Sequence, residues 1–508
     1  MGRRGLRGGR IGRCLAYAAM GPMVFGSLAT AQTVPVPPDV IAPVPAVPLT
    51  PALPVEVPPL TPAQVLTALK VMQAADLHGL QARTYVLEGI AASGELTLAQ
   101  QTSFTDNLLR YARDVHIGRM EAADFPDDWA VRPAAYDPAP DLVRALAEGR
   151  LQAWLDSLPP RYSGYAALKR GLVRYREISV AGGWKMLAAG KPMGLASVDP
   201  RVAALRARLA VEDSQIQAIG AAVFDKPLQE AVQRAQRRFG LRPDGVVGRE
   251  LLSHLNQPVS QRVLQLVANM ERWRWLPSVM PATRVQVNSG AAVVTLFRDN
   301  QPVMSMKAVS GRPGNETPML VSSIHSVVIN PPWNVPSGIA QKELWPKQKA
   351  NPGYFASHGY RIIPVAGGQP RLQQASGDQS ALGRFKFDFD NPFAVYLHDT
   401  PSKGGFGQFA RQDSHGCVRL EKPRALAEAL LEGDVTWTPA AIDTQLLGDK
   451  TVRARLTVQV PVYILYWTTF ASADGQMHFR SDPYDWDRAL LQRVGVLAAP
   501  VKPSQAKA

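Results

Sequence analysis

The chain has 508 residues, a formal net charge of +14, an isoelectric point near 9.8 and only two cysteines. A basic balance of this size favours an acidic partner, although solubility alone is an alternative explanation. Cys14 lies in an N-terminal targeting segment, which leaves Cys417 alone and excludes a fold stapled by disulfides. No later segment approaches the roughly 20 apolar residues that span a bilayer, so we expect no stable transmembrane segment after the targeting segment is removed.

Residues 1–31 have the pattern of a signal peptide. An apolar stretch at 15–28 ends in the small residues Ala29-Thr30-Ala31 and follows five scattered arginines: Arg3, Arg4, Arg7, Arg10 and Arg13. This pattern predicts cleavage near Gln32 and general secretory export, which lowers the formal charge from +14 to +9. Twin-arginine export and an uncleaved membrane anchor are the alternatives. No cysteine lies directly after the apolar stretch, where a lipid anchor would be attached, so a lipoprotein anchor is not expected.

The next segments are a linker and a helical domain. Residues 32–60 are rich in Pro, Val and Ala, which predicts an extended, polyproline-II-like linker. Thr61-Pro62 predicts the beginning of a helix, and Val65, Leu69 and Met72 follow at helical spacing. We therefore expect a helical scaffold domain at 61–215, and a return of that scaffold or a linker at 258–283.

A compact helical unit is expected between these two parts, at 216–257. Apolar residues at 228, 232, 235 and 239 mark one helical face, and a glycine-bearing loop separates them from a second apolar helix. Residues 228–256 resemble the small peptidoglycan-binding domain found beside many cell-wall enzymes. Its arginines could face anionic glycan peptides or form a solvated helix face: Arg234, Arg237, Arg238 and Arg242.

From residue 284 the sequence changes to short β-branched runs separated by turn residues. The predicted strands are 284–287, 291–297, 303–309, 323–329, 393–397 and 462–470, with one helix at 423–431. We expect a mainly β catalytic domain at 284–495 and a tail at 496–508, which makes the fold class α+β multidomain. The strand pattern lapses at 331–381, and an insertion of this length is typical of a functional lid or of disorder.

Cys417 and His398 form the candidate reactive site. A lone thiol in an exported protein is either a buried small hydrophobe or a reactive group. A neighbouring imidazole can accept the thiol proton and lower the thiol pKa from about 8.5, and His398 and His415 are both near in sequence. Gly416 allows close backbone approach, so the N–H groups of Gly416 and Cys417 are candidate oxyanion donors. A zinc site at His398, His415 and Cys417 lacks the usual ligand spacing, so no metal and no cofactor is expected.

The spacing between His398 and Ser414-His415-Gly416-Cys417 resembles the signature of L,D-transpeptidases with a YkuD-type catalytic domain. The large periplasmic branch called YcbB-like has further runs similar to residues 271–277, 330–336, 381–387 and 396–401. The resemblance spans about residues 60 to 490. Arg419 stands where much of the wider family has Asn, although this branch commonly has Arg. Residues 373–380 replace a Pro-Gly-rich run of the family, so lid details and substrate preference can differ, whereas the chemistry is expected to be the same.

The resemblance implies roles for particular residues. Cys417 would be the nucleophile and His398 the base, and the backbone carbonyl of Asp399 would orient the imidazole, which makes the Asp399 side chain dispensable. The 331–381 insertion would be a lid. The remaining expected site residues are His415 and Gly416 in catalysis, and Tyr396, Arg419, Ser414, Trp333 and Asn334 in substrate binding.

The implied reaction is acyl transfer between peptidoglycan tetrapeptide stems. Cys417 would attack the bond between diaminopimelate and the terminal D-Ala, and a second diaminopimelate amine would accept the acyl group to give a 3→3 cross-link. Water as acceptor would make the protein an L,D-carboxypeptidase, and a lipoprotein lysine would make it a protein-attaching enzyme. Carbapenems are expected to acylate Cys417. Other wall synthases are further candidate partners, and the expected location is a Gram-negative type of periplasm.

Three other classes of protein remain as alternatives. An inactive peptidoglycan-binding scaffold would retain the helical module without the chemistry. A papain-like protease is disfavoured because its cysteine precedes its histidine in the chain. A nucleic-acid binder is disfavoured by export and by the lack of a basic-aromatic motif.

Overall fold

The computed structural model describes residues 55–220 and 222–498. The predicted signal peptide, the linker up to residue 54 and the tail from residue 499 lie outside the described residues. Among the residues that are described, no helix combines the length and the apolar character needed to cross a membrane.

The N-terminal part is helical, as the sequence predicted. The helices before the sheet are α1 Pro62–Gln73, α2 Leu98–His116, α3 Ala139–Ala147, α4 Leu151–Ser157, α5 Ser163–Val180, α6 Val202–Ala210, α7 Lys226–Phe239, α8 Arg249–Leu255 and α9 Val259–Arg274. Helix α1 begins at the expected cap, because the Thr61 side chain accepts from the Gln64 N–H and the Gln64 side chain accepts from the Thr61 N–H. Val65 and Met72 are buried on the face of α1 that the spacing predicted.

The C-terminal part is built on a nine-stranded sheet that closes on itself. The strands in the described part of the chain are β1 Arg284–Asn288, β2 Val293–Arg298, β3 Gln301–Gly311, β4 Leu320–Ile329, β5 Trp333–Asn334, β6 Tyr360–Ile363, β7 Arg371–Gln374, β8 Phe385–Phe389, β9 Leu397–His398, β10 Gln412–Ser414, β11 Val418–Leu420, β12 Val452–Leu465, β13 Thr469–Ala471 and β14 Met477–Phe479. Pairing runs β1-β2-β3-β11-β9-β8-β4-β12 and returns to β1, while β10 adds to the end of β3. Alternate residues such as Val287, Phe387 and Val418 fill the interior, and burying one such side chain stabilises the fold by about 2–3 kcal/mol.

Two predicted strands are shorter or interrupted in the structure, because side chains capture backbone N–H groups that a ladder would need. Residues 393–397 contribute only Leu397 to a strand, since Asn391 Oδ1 accepts from the N–H groups of Phe393 and Val395. The predicted strand 462–470 breaks after Leu465, where Asn288 Oδ1 accepts from the Trp467 N–H and Asn269 Oδ1 from the Thr468 N–H.

The insertion at 331–381 has secondary structure of its own. Strands β5, β7 and β6 form a small antiparallel sheet, and a separate apolar cluster includes Leu344, Phe355 and Leu372. Its helices are α10 Ser337–Ile339, α11 Trp345–Ala350 and α12 Tyr354–Ser357, with a π-helical turn at Ala340–Leu344 between α10 and α11. The helices that complete the chain are α13 Pro423–Leu430, α14 Pro439–Leu446 and α15 Trp486–Arg493.

The α7–α8 unit has the two-helix form expected from the sequence, with Gly240 at the left-handed C-cap of α7. One expectation about its arginines is wrong. Arg238 neither faces solvent nor offers its charge to a ligand, because it is buried and lies 3.5 Å from the buried carboxylate of Glu212. Arg234 pairs with Asp213 at 2.8 Å, whereas Arg237 and Arg242 are exposed.

Candidate active site

The register of strands β8, β9 and β11 places the predicted nucleophile and base on one face of the sheet. Lys386 pairs with His398 and His398 pairs with Arg419, so the three residues form a row across three strands. Their neighbours Phe387, Leu397 and Val418 point into the barrel, so this row lies on the outer face. Cys417 directly precedes β11, two positions before Arg419, and alternation along the chain places its side chain on the same face.

Tyr396 lies beside Cys417 in the next row. The Val418 N–H donates to the Tyr396 carbonyl at 3.1 Å, which aligns the beginning of β11 with this residue. Tyr396 acts to lower the pKa of the Cys417 thiol, and its ring centroid is 5.5 Å from that of His398. Lys386 Nζ lies 4.3 Å from the same ring centroid, in a cation–π arrangement.

His398 is held in one orientation and kept neutral. Its side chain is 5% exposed, and Nδ1 lies 2.5 Å from the Asp399 backbone carbonyl, a contact in which Nδ1 must carry the proton. This tautomer leaves Nε2 free to accept a proton. Burial, together with the charge of Arg419, lowers the pKa of His398 to about 3. The imidazole is therefore an unprotonated base at neutral pH, with its acceptor atom defined by the backbone.

The Cys417 thiol is also neutral in this arrangement. Burial raises the pKa of the thiol above its ordinary value, and the nearby Tyr396, Lys386 and Arg419 only partly oppose that effect. The thiol is half-buried, and its Sγ lies 3.9 Å from the Ala394 carbonyl. The resting site thus pairs a thiol with an imidazole, rather than a thiolate with an imidazolium.

The turn before Cys417 is braced from inside the protein. Ser414 Oγ accepts from the Gly416 N–H at 3.1 Å and donates to the Cys417 carbonyl at 2.6 Å. Thr317 Oγ1 donates to the Gly416 carbonyl at 2.7 Å, and Gly416 has a φ of +111°, which few residues other than glycine adopt.

These bonds alter two of the sequence predictions. Ser414 is only 2% exposed, so it positions the turn and does not line a substrate site as expected. The Gly416 N–H is already bonded to Ser414 Oγ, which removes it as a ready oxyanion donor. Within the described residues the Cys417 N–H makes no hydrogen bond and remains the candidate donor.

The Asp399 carboxylate anchors the loops around His398. Oδ2 accepts from the Arg384 N–H at 2.8 Å, Oδ1 accepts from the Thr400 N–H at 2.7 Å, and Lys403 Nζ forms an ion pair with Oδ1. A Cβ added at Gly383 would collide with Oδ2, and Gly383 has a φ of +58°. The side chain that the resemblance implied to be dispensable for the chemistry therefore has a role in local structure.

The insertion reaches the turn through Glu343. Glu343 Oε1 lies 2.7 Å from His415 Nε2 and 3.5 Å from Arg312 Nη2. The hydrogen bond with His415, followed by the charges of His415 and Arg312, lowers the pKa of Glu343. His415 thus connects the residues before the thiol to the insertion, which a sequence motif alone does not reveal.

Trp333 and Asn334, predicted to bind substrate, are placed differently. The Trp333 side chain acts to lower the pKa of Tyr396, so it belongs to the neighbourhood of the thiol. Asn334 is exposed, and its Oδ1 accepts from Gln373 Nε2 at 2.8 Å inside the insertion's small sheet.

Sequence reasoning assigned no role to several residues of this site. Lys386 falls in the recognised run at 381–387, and its register with His398 could have been found only by pairing β8 with β9. Glu343, Arg312 and Thr317 carry no local signal, because each acts across a long stretch of chain. In the described part of the chain, no group of three or more His, Cys, Asp or Glu side chains is arranged to hold a metal ion.

Three segments of the chain match known protein families. Residues 282–446, which contain the row of outer-face side chains, match the L,D-transpeptidase catalytic domain named YkuD. Residues 282–446 are a YkuD-type L,D-transpeptidase domain. Residues 60–172 match a domain described as "Scaffold domain", and residues 199–255 match one described as "Putative peptidoglycan binding domain". The match at 199–255 includes helix α6, which packs against α7. The sequence analysis had assigned α6 to the scaffold.

A Haemophilus influenzae protein named "Putative L,D-transpeptidase" is 34% identical to this chain over 242 residues. The alignment covers 44% of this chain and 48% of that protein, so the chain spans about half the length of this relative.

Solved L,D-transpeptidase structures are similar to part of the chain. One, from Mycobacterium smegmatis, is 15% identical, covers 36% of this chain and 58% of its own, and has a TM-score of 0.19. A mutant of an Enterococcus faecium L,D-transpeptidase is 13% identical, covers 37% of this chain and 50% of its own, and has a TM-score of 0.18. Scores this low add nothing to the family match.

Proposed function

We propose that this L,D-transpeptidase domain forms 3→3 cross-links in peptidoglycan through a thioester on Cys417. The observation that carries the proposal is the shared outer face of His398 and Cys417, with His398 neutral and oriented by the Asp399 carbonyl. A neutral imidazole on the same face as a neutral thiol is suited to general-base activation at the moment of attack.

The proposed reaction has two acyl transfers. His398 Nε2 takes the Cys417 proton as Sγ attacks the carbonyl between the L-centre of diaminopimelate and D-Ala, and the Cys417 N–H stabilises the oxyanion. The tetrahedral intermediate collapses as the C–N bond breaks, and His398 returns the proton to the nitrogen of the leaving D-Ala. A diaminopimelate amine of a second stem then attacks the thioester, and its proton restores the thiol.

Lys386 and Arg419 are proposed to hold a carboxylate of the donor stem. They flank His398 in one row and place two positive charges beside the thiol. Neutralising Lys386 with Lys386→Met should raise KM for the donor about tenfold with a much smaller change in kcat, because a carboxylate contact is made in the ground state as well. A kcat loss without a KM change would contradict this role.

The setting of the activity is proposed to be the cell wall outside the cytoplasm, and more specifically a Gram-negative periplasm. The peptidoglycan-binding match at 199–255 supports a wall substrate, and the predicted signal peptide at 1–31 supports export. Fractionation of cells that express the full chain would test the location, and a cytoplasmic pool alone would contradict it.

The products released from peptidoglycan fragments test the proposed function. Tetrapeptide-rich peptidoglycan fragments would be incubated with the chain from Gln32, beside Cys417→Ala, and analysed by mass spectrometry. A Cys417-dependent dimer with a 3→3 bond and released D-Ala is the expected result. Tripeptide alone would make the protein an L,D-carboxypeptidase, and no change would favour a peptidoglycan-binding scaffold.

A further inference from the structure

A second recess lies where the scaffold, helix α9 and the outer face of strands β1–β3 meet. It is a groove of 810 Å³, lined by residues of the scaffold such as Arg161, by the outer face of β1–β3 such as Arg284 and Ser305, and by the β13–β14 hairpin that continues to Arg480. Arg480 Nη1 donates to the backbone carbonyl of Arg238, which joins this hairpin to the peptidoglycan-binding segment.

The groove is positively charged. Its lining residues include Arg161, Arg284 and Arg480 but no aspartate or glutamate. Arg161 is exposed, and burial lowers the pKa of Arg480 to about 10 without taking it out of the protonated form at neutral pH. A recess with one sign of charge concentrates ligands of the opposite sign.

Two polar atoms at the groove also lack partners. Arg284 is 6% exposed, and its Nε makes no hydrogen bond within residues 55–220 and 222–498, although its Nη1 bonds the Asn300 side chain at 2.8 Å. His478 Nδ1, also at the groove, is likewise without a partner in the part of the chain described. Unpaired polar atoms of this kind are costly unless a ligand or water completes them.

The same groove has an aromatic wall. Trp273 and Trp467 stack with ring centroids 4.3 Å apart and are only 8% and 5% exposed, and the partly exposed Tyr162 lies 5.3 Å from Trp273. On the opposite side, Gln286 and Thr295 present amide and hydroxyl groups from the outer face of the barrel. Aromatic side chains next to amide and hydroxyl groups are surroundings that a sugar ring favours, because a sugar has an apolar face and a hydroxylated edge.

We propose that this groove binds a glycan strand of peptidoglycan, with the acidic stem peptides paired to its arginines. The proposal rests on the proposed wall substrate. It adds a site for the polymer that is separate from the site of the chemistry. The glycan supplies rings for the aromatic wall and the stems supply carboxylates for Arg161, Arg284 and Arg480.

The groove connects to the thiol through the chain. At one end, the Ala291 carbonyl accepts from Arg411 Nη2 at 3.1 Å, and residues 412–416 lead from there to Cys417. The groove and the thiol are therefore joined by a short stretch of chain.

The test compares glycan-linked and free donors in the chain from Gln32. Ser305→Trp would fill the groove from an exposed strand position, and Val321→Trp, at an exposed position on β4 outside the groove, is the matched control. The substrates are soluble uncross-linked peptidoglycan chains with tetrapeptide stems and the free tetrapeptide cut from them. We expect Ser305→Trp to lower kcat/KM for D-Ala release at least tenfold on chains and less than twofold on free tetrapeptide, with no effect of Val321→Trp.

Equal effects of Ser305→Trp on both donors, or no effect on either, would overturn the groove assignment. Co-sedimentation with isolated sacculi measures binding without turnover. In this assay Ser305→Trp and a further variant, Arg161→Glu, should each reduce the bound fraction at least fivefold. If the wild-type chain releases no D-Ala but these binding losses occur, the proposed function fails and the groove stands. A chain from residue 55 can also be compared with the chain from Gln32. If the shorter chain binds sacculi at least tenfold more tightly, the occupant of the groove is instead the proline-rich segment 32–54, and the glycan assignment is overturned.

Discussion

At the scale of single residues, the Cys417 thiol is subject to opposing influences. Burial favours the neutral thiol, whereas Tyr396, Lys386 and Arg419 favour the thiolate. Burial and the charge of Arg419 also keep His398 from accepting a proton at rest. Since the pKa of the thiol is raised and that of the imidazole is lowered, the site avoids a standing ion pair and depends on the substrate to trigger proton transfer.

This balance predicts the pH dependence of alkylation. A thiol with an ordinary pKa of about 8.5 is roughly 3% thiolate at pH 7, and the raised pKa of Cys417 leaves less. The rate with iodoacetamide should therefore rise about tenfold per pH unit from 7 to 8.5, and His398→Gln should leave it unchanged within twofold at pH 9. A plateau between pH 5 and 7 would instead reveal a thiolate–imidazolium pair. The chain from Gln32 lacks Cys14, so Cys417 is the only thiol that can react in it. The variant Cys417→Ser is the negative control.

Gly383 gives a second prediction at this scale. Its φ of +58° and the position of Asp399 Oδ2, which an added methyl carbon would meet, leave no room for a side chain. Gly383→Ala should lower the free energy of unfolding by more than about 2 kcal/mol beyond the effect of Gly367→Ala, and should also reduce activity. Gly367 is the matched control, because it has a φ of +69° with open space around it. Equal destabilisation in urea titrations would contradict this account.

At the scale of elements, the 331–381 insertion is tied to the catalytic barrel by Glu343. The contacts from Glu343 to His415 and Arg312 are half-exposed, so they are worth at most about 1 kcal/mol. A contact of this strength can hold the insertion closed and still release it.

Removing that charge should therefore loosen the insertion. Glu343→Gln should increase the rate of limited proteolysis within 331–381 and the rate of Cys417 modification by a bulky maleimide, each about two- to fivefold. Lys349→Gln, an exposed change on α11, is the control and should alter neither rate. Unchanged rates in Glu343→Gln would show that the contact does not hold the insertion.

Local chemistry explains which elements could be predicted from the sequence. The Thr61–Gln64 capping box and the β-branched runs at 284–287 and 323–329 act within a few residues, so their patterns suffice. The insertion's small sheet was missed because its strands are two to four residues long, and β5 pairs with β7 across more than thirty residues.

The candidate site divides in the same way. The Ser414–Cys417 run and His398 are visible as a motif, and their roles remain predictions. The sequence does not show how β8 and β9 pair, and it is this strand register that places Lys386 opposite His398. Nor did the motif reveal that Ser414 faces inward, because its partners are the backbone atoms of Gly416 and Cys417 in a turn defined by the positive φ of Gly416.

At the scale of the whole molecule, helix α9 is joined to the scaffold by buried ion pairs. Glu271 on α9 is fully buried, lies 2.8 Å from Arg274 and 3.1 Å from Arg119, and accepts from the Arg119 backbone N–H. Burial opposes ionisation of Glu271, but the two arginines outweigh it and hold the pKa below its usual value. Arg274 also donates to the Tyr165 hydroxyl at 3.1 Å, which fixes α9 against α5.

Removing the charge of Glu271 should strongly reduce the free energy of unfolding. Glu271→Gln leaves the buried Arg274 without a full counter-charge and should reduce the free energy of unfolding by about 3–5 kcal/mol. Glu432→Gln removes a surface partner of Arg298 and should cost less than about 1 kcal/mol. Urea titrations of the two variants would compare them directly, and a loss in Glu271→Gln no larger than in Glu432→Gln would disprove the importance of the junction.

The central claim is that Cys417 carries the acyl group. The most direct measurement is the intact mass of the chain from Gln32 after brief incubation with a disaccharide-tetrapeptide donor at low acceptor concentration, followed by peptide mapping. We predict an adduct equal to the donor minus D-Ala on Cys417, strongly reduced in His398→Gln and absent in Cys417→Ala. Release of D-Ala without an adduct in rapid-quench samples, or an adduct on another residue, would contradict the account.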